Sequence, residues 1–145
     1  EYKTNGYQLT NDINKSFSGF FKCLDDEILP HNRNEEKVLF PVLNKKLIEA
    51  GEHGKGEHPV TAIDIMEDDH VKFIQLGSLA FNLLGLATRI TDERSRIFIL
   101  DTAYETSREL VELLKLHIYR EDVTLFPLAQ KYIPSEILKQ MESEL

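Results

Sequence analysis

The sequence predicts an all-α protein that forms one domain over its 145 residues. Two observations predict this class: apolar residues recur in steps of three and four along three long segments, and the alternating pattern of strands is absent. The chain is also long enough to bury one sizeable core. We therefore expect three long helices and a short C-terminal helix.

The first predicted helix follows an irregular lead-in at residues 1–9, which show no helical period. We expect it to begin at the N-cap cluster of residues 10–12 and to end near Ala50. Its stripe continues through Pro30 and Pro41, so both prolines should bend the helix rather than end it. The stripe consists of Phe17, Phe21, Leu24, Ile28, His31, Glu35, Val38 and Val42.

Two more long helices follow a glycine-rich loop at residues 51–59. The stripe of the second predicted helix consists of Ile63, Glu67, His70, Ile74, Gly77, Phe81 and Leu84. A turn near residues 88–92 precedes the third, whose stripe consists of Ala103, Ser107, Leu110, Leu114, His117, Glu121, Thr124 and Leu128. Pro134 and Ser135 begin the short terminal helix.

The charge balance excludes several kinds of partner. Lys and Arg number 17 against 25 Asp and Glu, a net charge of −8, which disfavours nucleic acid and anionic membranes. The single cysteine, Cys23, can form neither an internal disulfide nor a thiolate cage, and it is expected to be a small buried hydrophobe. No apolar run approaches the roughly 18 residues of a membrane span, and no signal peptide opens the sequence. We expect a cytoplasmic protein.

Polar residues occupy stripe positions where a core is expected. Buried carboxylates without partners cost several kcal/mol each, and a bound cation reverses this cost by giving each lone pair a partner. His31 and Glu35 are four residues apart, as are His117 and Glu121. At about 3.6 residues per turn, this spacing places imidazole and carboxylate on one helix face, one turn apart. The pattern indicates a metal site.

The two pairs belong to a duplicated motif. Residues 31–41 and 117–127 share the pattern H-x-x-x-E-[ED]-x-x-L-F-P, with the copies 86 residues apart. One H-x-x-x-E on an amphipathic helix is common. Two copies with the same Leu-Phe-Pro tail, and His70 on the helix between them, form a much more specific signal.

The motif resembles the hemerythrin-like (HHE cation-binding) domain family over roughly residues 10–132. The resemblance implies an up-down four-helix bundle that holds a non-haem di-iron centre. Under it, the two glutamates bridge two iron ions and the histidines are terminal ligands. Ile74 stands where some members carry a further histidine, which favours the relatives with fewer ligands. The metal ligands assigned by the resemblance are His31, Glu35, His70, His117 and Glu121.

The ligand types favour iron on independent grounds. Imidazole and carboxylate without thiolate suit iron or manganese, with zinc as a further alternative. The alternative without metal is a hydrogen-bonded polar layer that fixes helix register, with His70 as a satisfied core histidine. His53 and His58 lie in the glycine-rich loop, and we expect them to be solvated rather than metal ligands.

Other polar and aromatic residues lie beside the predicted ligands. Glu67 lies three residues before His70, and it can be an extra ligand or an acceptor for a ligand imidazole. Glu36 and Asp122 follow the two motif glutamates, and they are either solvated or bonded to a ligand histidine. Phe40 and Phe126 are expected to wall the site off from water.

Three kinds of function fit this pattern. The leading expectation is that the iron site binds or senses dioxygen or a related small oxidant. The alternative is a catalytic di-iron protein that handles nitric oxide or peroxide, or that repairs iron–sulfur centres. Residues 92–132 supply no evident general acid or nucleophile beyond the ligands, so binding leads over catalysis. The sequence does not decide whether the protein is an enzyme. The third is a regulatory module whose metal only stabilises the fold.

One ligand of the family pattern is missing. Members contribute a histidine from a first helix, but no histidine precedes His31 here. We expect the first bundle helix to be absent, because the stripe keeps one phase throughout the first predicted helix. The alternative is a hairpin within residues 1–30, with Tyr2, Asp12 or solvent at the missing ligand's position. A bundle without this helix exposes an apolar groove, which favours a homodimer.

Overall fold

The structure of the chain, a computed structural model, describes Gly6 and residues 8–144. These residues form helices and no strand, so the all-α prediction is confirmed. Four of the helices are long, which is consistent with a helical bundle. No helix in the described ranges has the length and apolarity to cross a membrane. The helices are α1 (Asn11–Cys23), α2 (Leu29–Glu49), α3 (Ala62–Ala87), α4 (Glu93–Arg120), α5 (Phe126–Tyr132) and α6 (Ser135–Glu142).

Local capping explains where the long helices begin and end. The Thr10 hydroxyl accepts a hydrogen bond from the Ile13 N–H at 3.3 Å, and this fixes the start of α1. The Asp92 carboxylate accepts from the Ser95 N–H at 2.8 Å ahead of α4. Gly51 follows α2 with φ of 77°, a left-handed conformation that glycine adopts without strain. The predicted limits of the first helix are therefore close to those observed.

Two π turns keep the helical backbone continuous. Leu24–Ile28 joins α1 to α2, and Glu121–Leu125 joins α4 to α5. Each π turn ends two residues before a proline, Pro30 or Pro127. A proline ring clashes with the carbonyl four residues earlier, which lies inside the wider π turn in both cases. Pro41 lies within regular α2, so the prediction that the helix continues through Pro30 and Pro41 is confirmed.

The alternative prediction, a hairpin within residues 1–30, is wrong for the part of this segment that the structure describes. Residues 11–28 are helical without a turn, so they do not fold back on themselves. Gly6 and residues 8–10 are irregular, as predicted for the lead-in. Tyr2 and the rest of the lead-in lie outside the described residues.

The π turns also shift the buried face by one residue, because each adds a residue to its helix. After the first π turn, Leu39 and Leu43 are buried, whereas the predicted Val38 and Val42 are only half-buried. After the second, the buried residues are Leu125 and Ala129 rather than the predicted Thr124 and Leu128. The predicted stripes are therefore correct up to each π turn. Beyond the turns they are displaced by one residue at most positions, whereas Glu35 is buried as predicted.

The stripe of α3 is correct at Ile63, His70 and Gly77, but it is displaced by one residue at the positions between and after them. Its buried residues recur every three or four positions, and Met66, Phe73 and Ala80 occupy places that the prediction gave to the residue after each. Ile74 and Phe81 are more than half exposed. Phe73 and Ile74 are both apolar, as are Ala80 and Phe81, so hydrophobicity alone does not select between the two phases there.

The contacts divide the chain into two compact units. The first unit contains the described residues up to Ile28 together with Lys72–Glu112, and its core includes Ile13, Ala87 and Leu100. The second unit contains Leu29–Val71 and the chain from Leu113 onward. All predicted metal ligands belong to this second unit. Its core comprises Leu39, Phe40, Leu43, Leu47, Ile63, Met66, Leu125, Ala129, Ile133 and Met141. The expectation of one domain stays a prediction.

Candidate metal centre

The structure brings all five predicted ligands together. His31 and Glu35 lie on α2, His70 on α3 and His117 on α4, and Glu121 is the first residue of the second π turn. Their ligand atoms form two groups, and within each group all atoms lie within 4.8 Å of one another. The groups are Glu35 with His70 and His117, and Glu35 with His31 and Glu121.

Glu35 is common to both groups because its two oxygens point to different imidazoles. Glu35 Oε1 lies 3.5 Å from His31 Nε2, and Glu35 Oε2 lies 3.6 Å from His70 Nε2. Glu121 Oε1 lies 3.1 Å from His117 Nε2 and 3.8 Å from His31 Nε2. Two carboxylates therefore lie among three imidazole nitrogens, the arrangement from which helical bundles build two-metal carboxylate sites.

The electrostatics of the carboxylates favour a bound cation. Glu35 is 1% exposed, and both of its oxygens and Glu121 Oε1 lack a hydrogen-bond partner within the described residues. Burial, followed by the negative charges of Glu121 and Glu36, raises the pKa of Glu35 from 4.5 to about 8. A divalent cation would supply the missing partner for these oxygens and remove the penalty. The donor set therefore fits a metal ion.

The surroundings of His70 change the pKa of its imidazole. Burial lowers the pKa of His70 below 6.5, which its hydrogen bond with Glu36 opposes and the nearby His117 reinforces. A lowered pKa favours neutral imidazole, and this is the form that binds metals.

His31 differs from the other predicted ligands in its exposure. Its side chain is 47% exposed, and its neighbour Asn32 faces the core instead, at 4%. This is the phase shift that follows the first π turn. His31 still directs Nε2 at both glutamates, so the group that contains it is the one open to solvent.

Three residues outside the predicted ligand set contact the buried imidazoles. Glu36 Oε1 lies 2.8 Å from His70 Nδ1, which is the bonded alternative of the two considered for Glu36. Asp69 Oδ2 lies 3.3 Å from His117 Nδ1 and 2.6 Å from Arg120 Nη1. Sequence reasoning missed Asp69 and Arg120. The correct phase of α3 would have found Asp69, because the residue before His70 then also faces inward.

The aromatic residues of the two motif tails differ in burial. Phe40 is 1% exposed and stacks on His70, with ring centroids 5.4 Å apart and planes 20° apart. Phe126 is 36% exposed, so the expectation that it walls off the site is wrong. It follows the second π turn, whose added residue changes the direction in which the next side chains point.

The remaining candidates lie on the surface. Glu67 is exposed and belongs to neither ligand group, since Met66 occupies the buried position beside it. His53 and His58 are exposed in the loop between α2 and α3, as expected. Asp122 is exposed as well, which is the solvated alternative considered for it.

Comparison with known proteins identifies distant relatives. The chain is 26% identical over 117 residues to the iron-sulfur cluster repair protein YtfE of Cronobacter sakazakii. It is 25% identical over 117 residues to the proteins of that name from Escherichia coli and Escherichia fergusonii. Each match covers 81% of this chain and 48% of the relative, so the chain spans about half the length of these curated relatives. No family model and no solved structure matches the chain.

Proposed function

We propose that this chain is a hemerythrin-like domain that binds two non-haem irons and serves the repair of iron–sulfur clusters. One observation carries the proposal: Glu35 is buried and offers one oxygen to each of two groups of ligand atoms. The names of the relatives support repair as the biological role. They favour it over the dioxygen binding that the sequence led us to expect first.

The proposed roles follow from the geometry. Glu35 and Glu121 would bridge the two metal positions, and His31, His70 and His117 would be terminal ligands. Iron, when bound, supplies redox chemistry and an exchangeable coordination position. The protein contributes a buried, carboxylate-rich environment with Phe40 packed over His70, and it leaves access on the side of the exposed His31.

The first test measures iron content and repair together. The protein is reconstituted with Fe(II) without oxygen, and its iron is counted against wild type and two variants, Glu35→Ala and Glu121→Ala. We expect about two irons in wild type, and loss of dinuclear loading in each variant, because each removes a bridging carboxylate. Asp122→Ala is the matched control, since it removes an exposed carboxylate from the residue next to Glu121. Full iron content in both bridge variants would contradict the ligand assignment.

The second test separates repair from dioxygen binding. An iron–sulfur dehydratase inactivated by an oxidant is incubated with the iron-loaded protein, and its recovered activity is measured. Repair predicts recovery with wild type and the Asp122→Ala control, and none with Glu35→Ala. If the dehydratase does not recover, and the iron-loaded protein instead shows a spectral change that reverses when dioxygen is added and removed, dioxygen binding is the correct function.

A further inference from the structure

Both buried imidazoles are held in one orientation by residues outside the proposed ligand set. We infer that Glu36, Asp69 and Arg120 are positioning residues for the metal centre. Through their contacts, His70 and His117 carry the proton on Nδ1 and direct the Nε2 lone pair toward Glu35 and Glu121. The inference rests on the proposed metal centre, but not on what the loaded protein does.

The contacts of Asp69 fix the tautomer of His117. Asp69 is 2% exposed, and its Oδ2 lies 3.3 Å from His117 Nδ1. An ionised carboxylate can only accept hydrogen bonds, so the imidazole nitrogen beside it must donate. Glu121 Oε1 lies 3.1 Å from His117 Nε2 but makes no hydrogen bond within the described residues, so a neutral His117 keeps its lone pair on Nε2.

Arg120 holds Asp69 in place. Its Nη1 donates to the same Oδ2 atom at 2.6 Å, and its side chain is one-third exposed. Without the guanidinium, Asp69 would be a buried anion with no cationic partner, which proteins tolerate poorly. Arg120 thus keeps the Asp69 carboxylate directed at His117.

Glu36 plays the same part for His70. Its Oε1 lies 2.8 Å from His70 Nδ1, which must then be the donor. The two Nε2 atoms of His70 and His117 consequently face each other at 3.2 Å with both lone pairs turned inward. Two acceptors at this distance repel, and a cation between the donor atoms relieves the repulsion. The three positioning residues therefore prepare the buried imidazoles for a metal ion.

The inference is tested first in the metal-free protein. Proton–nitrogen correlation spectra of the imidazole rings, recorded at one pH, report which nitrogen carries the proton. Asp69→Asn should change the tautomer of His117 and leave that of His70, because an amide can donate as well as accept. Glu36→Gln should change the tautomer of His70 and leave that of His117, and it replaces a side chain that is 42% exposed. Asp68→Asn, the exposed neighbour, should change neither.

The second measurement is the affinity for Fe(II), titrated without oxygen. Loss of such an outer partner typically weakens metal binding about 10–100-fold, and we expect this for Asp69→Asn and Glu36→Gln but not Asp68→Asn. Arg120→Gln should weaken binding in the same direction, and Arg120→Lys should restore part of it. Unchanged tautomers, or wild-type affinity in both Asp69→Asn and Glu36→Gln, would overturn the inference. Normal iron binding with no recovery of the damaged dehydratase would instead refute only the proposed function.

Discussion

The buried carboxylate of Glu35 should make the metal-free protein less stable as the pH rises. The pKa of Glu35 is raised to about 8 in the folded protein and returns to about 4.5 on unfolding. A group whose folded pKa is raised contributes stability that is fully present below the unfolded value and is lost as the pH rises through the folded value. The metal-free fold should therefore weaken between neutral and mildly alkaline pH.

The magnitude follows from the size of the shift. Moving from 4.5 to about 8 corresponds to about 5 kcal/mol in total, at about 1.4 kcal/mol per pH unit. His70 acts in the opposite sense below 6.5, because its lowered pKa makes protonation of the folded state costly as the pH falls. Above about pH 6.5 Glu35 dominates, and the free energy of unfolding should drop by about 2 kcal/mol between about pH 6.5 and about pH 8.5.

The assay is urea unfolding of the chelator-treated protein, followed by circular dichroism across this pH range. Glu35→Gln should abolish the drop, because an amide does not titrate, and it should be the more stable protein at about pH 8.5. Asp122→Asn should retain the drop. Iron should remove or reverse it in wild type, since ligation requires the ionised carboxylate. An equal drop in Glu35→Gln, or stability that rises with pH in metal-free wild type, would refute the reasoning.

Two further predictions concern packing. Gly77→Ala should be less stable than Gly85→Ala by about 1–3 kcal/mol, because the Cβ added at Gly77 would lie 2.7 Å from a methyl carbon of the buried Leu24. Gly85 lies on the same helix, and a Cβ added there would have no neighbouring atom within 4 Å, so Gly85→Ala should be neutral or stabilising by up to about 1 kcal/mol. Equal melting temperatures for the two variants would contradict this. Leu43→Ala should cost about 2–5 kcal/mol in urea unfolding, whereas Val42→Ala should cost less than half as much, because only Leu43 is fully buried. A larger loss of stability in Val42→Ala than in Leu43→Ala would contradict this and favour the burial of Val42 that the sequence pattern predicted.

The sequence was sufficient to predict the helices and the five side chains that the structure brings together, and the reason is the same for both. Side chains four residues apart share a helix face wherever the helix is regular, so His117 and Glu121 could be paired without coordinates. His70 could be added because its helix lies between the two motif copies along the chain.

The burial of individual positions could not be predicted in the same way. A π turn is decided by the local backbone, and its hydrophobic pattern differs from that of an α-helix by a single residue. The residue added by the first π turn leaves His31 exposed where the pattern predicts a buried position. The residue added by the second π turn leaves Phe126 on the surface. The Asp69–Arg120 contact joins residues that are far apart in sequence, and no spacing rule relates them.

The second π turn also changes how the internal repeat should be understood. The two motif copies align in sequence without a gap, yet one continues as regular α2 and the other enters the π turn at its glutamate. The two motif copies therefore differ in backbone conformation, and residues at matching positions of the copies do not have matching surroundings. Phe40 and Phe126 hold the same place in the repeat, but only Phe40 lies over an imidazole. The two halves can thus accept different mutations while the paired histidines and glutamates keep a common spacing.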